Sequence, residues 1–168
     1  MNPVFYDRIS TAVGPVLIAV RDRKVVAVQI GGSASDFRYQ LLGKGAGAPL
    51  KNATTVRNAA RQIREYLAGK RQTFRLNLDW SGIPPFRARV LRAALRIPYG
   101  KTRTYGEIAR LIGKPHAARA VGQALGANPF APVVPCHRVL AINGGLGGYS
   151  AAGGVAMKRR LLRMESSL

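Results

Sequence analysis

The chain has 168 residues, is 47% apolar, and carries 27 Lys and Arg against 7 Asp and Glu, a formal charge of +20. That length holds one ordinary domain or two small ones sharing a core, and no apolar run approaches the roughly 20 residues needed to span a bilayer. One cysteine, Cys136, excludes an internal disulfide and a multi-cysteine zinc site, so its thiol is either an inert core atom or a reagent.

The start, MNPVFYDRISTAVG, lacks the basic beginning and apolar stretch of a secretory signal, so a cytoplasmic protein is expected. The charge favours a polyanionic partner. Residues 85–168 hold 14 basic and 2 acidic side chains, and residues 1–84 hold 13 and 5. Nucleic acid is the commonest such partner. An acidic membrane surface is the competing reading, but no basic amphipathic helix with bulky aromatic anchors supports it. The plain alternative is a solvated basic surface.

In chain order, GPVLIAVRDRKVVAVQIGG holds two β-branched runs around Arg21–Lys24 and predicts a β-hairpin. GGSAS and GKGAGAPLKNA are small-residue stretches and predict loop. In TTVRNAARQIREYLAGK, Val56, Ala59, Ala60, Ile63, Tyr66 and Leu67 recur at helical spacing, and Gly69 stops the helix. TFRLNLDW alternates Phe74, Leu76, Leu78 and Trp80 with polar residues, the pattern of a half-buried strand. The expected division is an N-terminal α/β domain over 1–80, a linker over 81–85 (SGIPP), and a helical domain over 86–168.

Beyond the linker, Phe86, Val90, Leu91, Ala94 and Leu95 make one helix face, and IPYGK turns the chain. TYGE places Thr104 as N-cap with Glu107 three residues on, a capping box. That helix carries Ile108, Leu111 and Ile112 and ends at Gly113. Pro115 opens the next, HAARAVGQALGA, which gives a helix-turn-helix pattern. The second helix is nearly bare. Ala117, Ala118, Ala120, Gly122, Ala124, Gly126 and Ala127 leave Arg119 and Gln123 as its long side chains. Two glycines cost a helix roughly 1 kcal/mol each, a cost offset if another surface must approach closely. His116 reads as a solvated residue beside the start of this helix.

A thiolate is the nucleophilic form of cysteine, and a free thiol is mostly protonated at neutral pH. His137 and Arg138 flank Cys136, but adjacent strand residues face opposite ways, so sequence alone leaves their contact open. Pro132 and Pro135 stiffen the approach and favour extended backbone before them.

PCHRV preceded by NP, after YGEIA and AARAVGQALGANP, closely resembles the O6-alkylguanine-DNA alkyltransferases, also called methylated-DNA–protein-cysteine methyltransferases. The resemblance is strong over about 86–165 and weaker over the N-terminal half, where GPVLIAV and EYLAGK fit. It implies an α/β (α+β) fold: a small N-terminal sheet-plus-helix domain, then a helical domain with a helix-turn-helix of winged-helix type. The implied activity is direct-reversal DNA repair. The alkyl group of O6-alkylguanine, with O4-alkylthymine a further candidate, passes irreversibly to Cys136 in a single turnover.

The roles below follow from the resemblance. His137 takes the thiol proton through a water, Glu165 holds and polarises His137, and Tyr105 helps neutralise the leaving guanine. Asn128 ties the recognition helix to the cysteine segment, while the Val139 backbone, Tyr149 and Ser150 line the base pocket. Arg119 enters the base stack in place of the flipped nucleotide, on a helix that meets DNA through Ala117, Ala118, Gly122 and Gln123. The expected partner is double-stranded DNA bound in the minor groove by a protein that is a monomer in solution, with cooperativity on DNA left open. No cofactor and no metal are expected; some relatives carry zinc in the N-terminal domain, but this chain has no cysteine there and no histidine before His116. One departure stands out. YSAAGGVAMK, Tyr149 to Lys158, is about two residues longer than usual. If its small residues wall the pocket, bulky O6 substituents are tolerated. Three rivals remain: a lesion sensor without transfer, a Cys–His hydrolase or redox enzyme, and a sequence-specific regulator. The first loses the cysteine in related proteins, and the second explains neither the charge nor the helix-turn-helix.

Overall fold

The computed structural model describes residues 2–44 and 47–165, and the chain divides into two compact units, Met1–Gly82 and Ile83–Leu168. In the first unit, β1 (Phe5–Thr11), β2 (Gly14–Arg21) and β3 (Lys24–Ile30) form an antiparallel meander, and the short β4 (Leu50–Lys51) pairs parallel to β1. The sheet order is β3-β2-β1-β4. The predicted hairpin is β2–β3. Its two-residue turn places Asp22 and Arg23 at φ of 51° and 62°, the left-handed pair that matches the twist of a tight hairpin. β1 went unread, because FYDRIST mixes charge into its alternation.

Residues 16–21 of β2 are all buried, so both faces of the sheet are covered. Helix α1 (Ala34–Leu42) puts Phe37 and Leu41 on Val4, Tyr6, Leu17 and Ala19. Its first two residues lie in the GGSAS stretch expected to be loop, while DFRYQLL, its remainder, carries no expectation from sequence. Ser33 accepts from the Asp36 amide as its N-cap, a local bond that outweighs the glycines before it. Gly45 and Ala46, within the other predicted loop, lie outside the described residues.

Helix α2 (Ala53–Leu67) buries the six apolar residues expected of it and packs against β1 and β2. Asn52 caps its start, and Gly69 at φ 73° follows its end. Of these, Val56, Ile63 and Leu67 each stabilise by about 1.5–3 kcal/mol when fully buried. The segment 73–80 differs from expectation. Its alternation holds, but only Leu78 forms a bridge, to Val25. Upstream of that bridge the backbone is held by a side chain instead: buried Gln62 donates to the Arg75 carbonyl (3.1 Å) and accepts from the Arg75 amide (2.8 Å). Arg21 and Asp79 close this end of the unit with a 2.6 Å ion pair.

The second unit contains α3 (Pro85–Leu95), β5 (Arg103–Thr104), α4 (Tyr105–Leu111), α5 (Ala118–Gly126), a 3-10 turn at Cys136–Arg138, β6 (Val139–Leu140) and α6 (Gly154–Met164). Pro85, assigned to the linker from sequence, is the first residue of α3, where its missing N–H costs nothing. Leu95 is 42% exposed and Leu111 is 67% exposed, so neither belongs to the core face predicted for it. The Thr104–Glu107 capping box forms in full, and Gly113 at φ 73° ends the helix. Helix α5 starts at Ala118, three residues after Pro115. Among the described residues no helix is long and apolar enough to cross a membrane.

Candidate active site

The cysteine lies on a 3-10 turn rather than a strand. Cys136, His137 and Arg138 therefore spread around a tight turn, and all three are buried. The residues before it are also turned rather than extended: Val134 N donates to Phe130 O at 3.1 Å, and the Ala131–Pro132 bond is cis. Asn128, just past α5, organises this stretch. Its Nδ2 donates to the Val134 carbonyl (2.9 Å) and its Oδ1 accepts from the Phe130 amide (2.9 Å). The same side chain acts to lower the pKa of the Cys136 thiol.

His137 and Glu165 are fully buried at the side chain and meet at 2.9 Å, Nε2 to Oε1. Arg138 donates to the same carboxylate through Nε (2.9 Å to Oε2) and Nη2 (2.8 Å to Oε1), and through Nη1 to the Ile97 carbonyl (2.6 Å). A bidentate guanidinium and an imidazole on one buried carboxylate satisfy a charge that burial alone would make costly. Glu165 follows the last residue of α6, so that helix carries the carboxylate to the cysteine turn.

Burial lowers the pKa of His137, against the raising effect of Glu165, so the ring is neutral at neutral pH. Burial pushes the Cys136 thiol up; Asn128 and the Lys158 charge act in the opposite direction and do not overcome it. The resting pair is therefore a protonated thiol beside a neutral imidazole, and reaction at sulfur requires a proton acceptor.

Cys136 opens onto a cavity of about 700 Å³ lined by Tyr105, Arg119, Gly122 and Gln123 on one side and by Gly147, Tyr149 and Ser150 on another. Ala118 also lines it; Ala117, Asn128 and Val139 do not. The Val139 carbonyl accepts from Lys158 Nζ at 2.7 Å. The lining stops at Ser150. Ala151–Gly154 form a turn, closed by Gly154 N on Ala151 O, that leads into α6. Ala151–Gly154 thus lead into a helix and do not line the cavity, whereas Tyr149 and Ser150 of the same loop do. Tyr149 carries a buried hydroxyl with no hydrogen-bond partner among the described residues, and burial raises its pKa well above 10. His116 is exposed, as expected.

Sequence reasoning assigned no role to Lys158. It is 1% exposed, yet its ammonium reaches three oxygens: Val139 O, Gly148 O (3.2 Å) and Tyr105 Oη (3.4 Å). Burial lowers its pKa to about 8, opposed by Cys136. The lysine ties the Gly148 loop, β6 and Tyr105 together around the cavity. A lysine three residues before the buried Leu161 on an amphipathic helix was the available signal, but lysines at such positions usually snorkel. Tyr105 itself is half-buried, and burial together with Cys136 raises its pKa. No group of three or more His, Cys, Asp or Glu side chains that could hold a metal occurs among the described residues.

Residues 85–167 match the family profile described as 6-O-methylguanine DNA methyltransferase, DNA binding domain, and residues 4–80 match its ribonuclease-like domain. A methylated-DNA–protein-cysteine methyltransferase of Methanosarcina barkeri is 40% identical over 98% of both chains. The crystal structure of Mycobacterium tuberculosis OGT in complex with DNA superposes with a TM-score of 0.84 at 39% identity, covering 97% of this chain and 93% of that one. The O6-methylguanine-DNA methyltransferase from the archaeon Pyrococcus kodakaraensis superposes at 0.71 with 25% identity, covering 96% and 98%.

Proposed function

Because the chain belongs to the methylated-DNA–protein-cysteine methyltransferase family, we propose that it removes the alkyl group from O6-alkylguanine in DNA by transferring it to Cys136. The observation that carries this reading is the position of the thiol. The only sulfhydryl of the chain faces a cavity large enough for a single base, bounded by the second helix of a helix-turn-helix. An atom inside a base stack cannot reach such a pocket, so the nucleotide is flipped out of the duplex first.

The reaction is one displacement. Cys136 Sγ forms a bond to the alkyl carbon as the carbon–O6 bond breaks; the guanine leaves as its anion and takes a proton from Tyr105, and the thiol proton held by His137 restores that proton through solvent once the base departs. Nε2 of His137 is engaged by Glu165, so Nδ1 takes the thiol proton, with a water between. Glu165 and Arg138 fix the ring; Tyr105 and Lys158 supply donors toward the leaving guanine. The Tyr149 hydroxyl is held for a polar atom of the base, and Ser150 lines the same wall. Asn128 keeps the cysteine turn against the end of α5.

Arg119 is exposed on α5 at the cavity mouth and fills the gap left by the flipped base. The bare face of Ala117, Ala118 and Gly122, with Gln123, suits close approach in the minor groove, by shape rather than by base readout. The protein acts as a monomer. Its product is a thioether without a good leaving group, so the thiol is consumed and no cofactor takes part.

Mass spectrometry after mixing with O6-methylguanine duplex tests this directly. One methyl group per chain should appear, on Cys136, while Cys136→Ser should bind the duplex and gain none. More than one turnover per molecule, or no mass increase at Cys136, rejects the reading.

A further inference from the structure

The charge of the N-terminal unit is not evenly spread. Residues 44–75 hold eight basic side chains and one acidic one. On α2 the buried apolar face leaves Arg57, Arg61 and Arg64 exposed along the opposite side. The segment after the helix brings Arg71 to it, and the backbone of exposed Arg75 runs beside it. Arg71 reaches Glu65 at 2.7 Å, and Arg75 is bound through its backbone to Gln62. Asn58 links these: its Oδ1 accepts from both Arg61 and Gln62, each at 3.2 Å. Glu65, held below the usual carboxylate range by Arg71 and Arg61, is the acid within the cluster and neutralises only one of the five cations.

We propose that this arginine face of α2 is a second DNA-backbone contact, by which the N-terminal unit adds phosphate binding to that of the helix-turn-helix. The inference rests on DNA being the partner of the C-terminal unit. Arg57 and Arg64 lie seven residues apart, about 10 Å along the helix axis at 1.5 Å per residue. Measured along the duplex axis, that length spans about three phosphate steps of one strand at 3.4 Å each. Arginine presents a planar fork suited to phosphate; Asn58 and Glu65 hold the Arg61 fork in place, and Glu65 also holds that of Arg71. The face has no aromatic or apolar anchor, so it binds backbone charge and carries no sequence preference. DNA is favoured over an acidic protein because the partner already at hand is a polyanion of regular spacing.

The test compares the wild type with Arg57→Gln/Arg61→Gln/Arg75→Gln on undamaged duplex across a salt series. Each lost phosphate contact lowers the slope of log K against log salt by about 0.9, so the triple variant should lose about 2–3 from the slope. Affinity should fall at least tenfold at low salt. Transfer from free O6-benzylguanine to Cys136 needs no DNA and should be unchanged. If the triple variant is poorly folded, Arg57→Gln alone should reduce the slope by about 0.9. Equal slopes in variant and wild type overturn the inference, including in favour of an acidic protein as the true occupant of this face. Absence of any transfer to Cys136 in the wild type would instead overturn the proposed reaction, whichever way the slopes fall.

Discussion

Replacing Glu165 by glutamine keeps the shape of the side chain and removes its charge from beside Arg138 and His137. At 2.8 Å and an effective dielectric constant of about 20, the Arg138 attraction alone is roughly 6 kcal/mol before desolvation is subtracted. Breaking a buried pair by removing one partner costs about 3–5 kcal/mol. Glutamine retains one carbonyl acceptor, which places the loss near the lower end, about 3 kcal/mol. For a chain of this length that lowers Tm by about 6–12 °C. The chemical effect is separate. Glu165 raises the basicity of a ring that burial has already depressed, so its loss moves the His137 pKa further down. The thiol proton then has a weaker acceptor while the thiol remains pushed up by burial. Transfer from free O6-benzylguanine, measured well below the lowered Tm, should slow by about 10- to 100-fold. The rise of rate with pH should shift upward, because more of the proton removal falls to hydroxide. A variant with wild-type rate and an unchanged pH–rate profile would refute the chain from Glu165 through His137 to the sulfur, even if Tm fell as stated.

Arg119→Ala should slow repair of duplex DNA by at least tenfold more than transfer from free O6-benzylguanine; equal losses would show that Arg119 supports the fold instead. Gly147→Ala puts a Cβ 2.5 Å from the Tyr105 hydroxyl at φ 67°, so Tyr105 must move out of its place beside Lys158. Transfer of both methyl and benzyl groups should fall by at least tenfold, with duplex affinity within about twofold; full activity would mean that the position of Tyr105 is irrelevant. Deleting Ala152 and Gly153 should leave the ratio of benzyl to methyl rates within about threefold, since the cavity lining ends at Ser150. A large change in that ratio would return the loop to the pocket.

Legibility from the sequence followed the range of the interactions. The hairpin turn, the apolar spacing of α2 and the capping box rest on neighbours within four residues, and all three were legible. The half-buried strand at 73–80 was misread because alternation reports which side chains face inward and says nothing about which backbone, or which glutamine, takes the hydrogen bonds. The helix over 34–42 was hidden behind GGSAS, where the cap serine sits among residues that otherwise signal loop. At the site, Cys136 was conspicuous by being alone, and the partnership of His137 with Glu165 entered through family resemblance, since 28 residues separate them. Arg138 as the third member of that cluster, and Lys158 as the tie around the cavity, depend on buried long-range contacts that no local pattern encodes.

The two-residue pairing of β5 with β6 sets the distance from tyrosine to cysteine. Arg103 stands opposite Val139 and Thr104 opposite Leu140 in parallel register. Tyr105 is the next residue on one side, and the cysteine turn ends directly before the other. The spacing of two reacting groups is thereby written in main-chain bonds, which are indifferent to side-chain identity. Exchanging Arg103 or Leu140 for another residue leaves the ruler intact. Adding or removing a single residue between Cys136 and Leu140 moves the sulfur by a whole step against Tyr105. At Arg103 and Leu140 the molecule is permissive toward changes of letter and intolerant of changes of length, so a library built by insertion and deletion would detect a spacing that substitutions at those two positions would pass over.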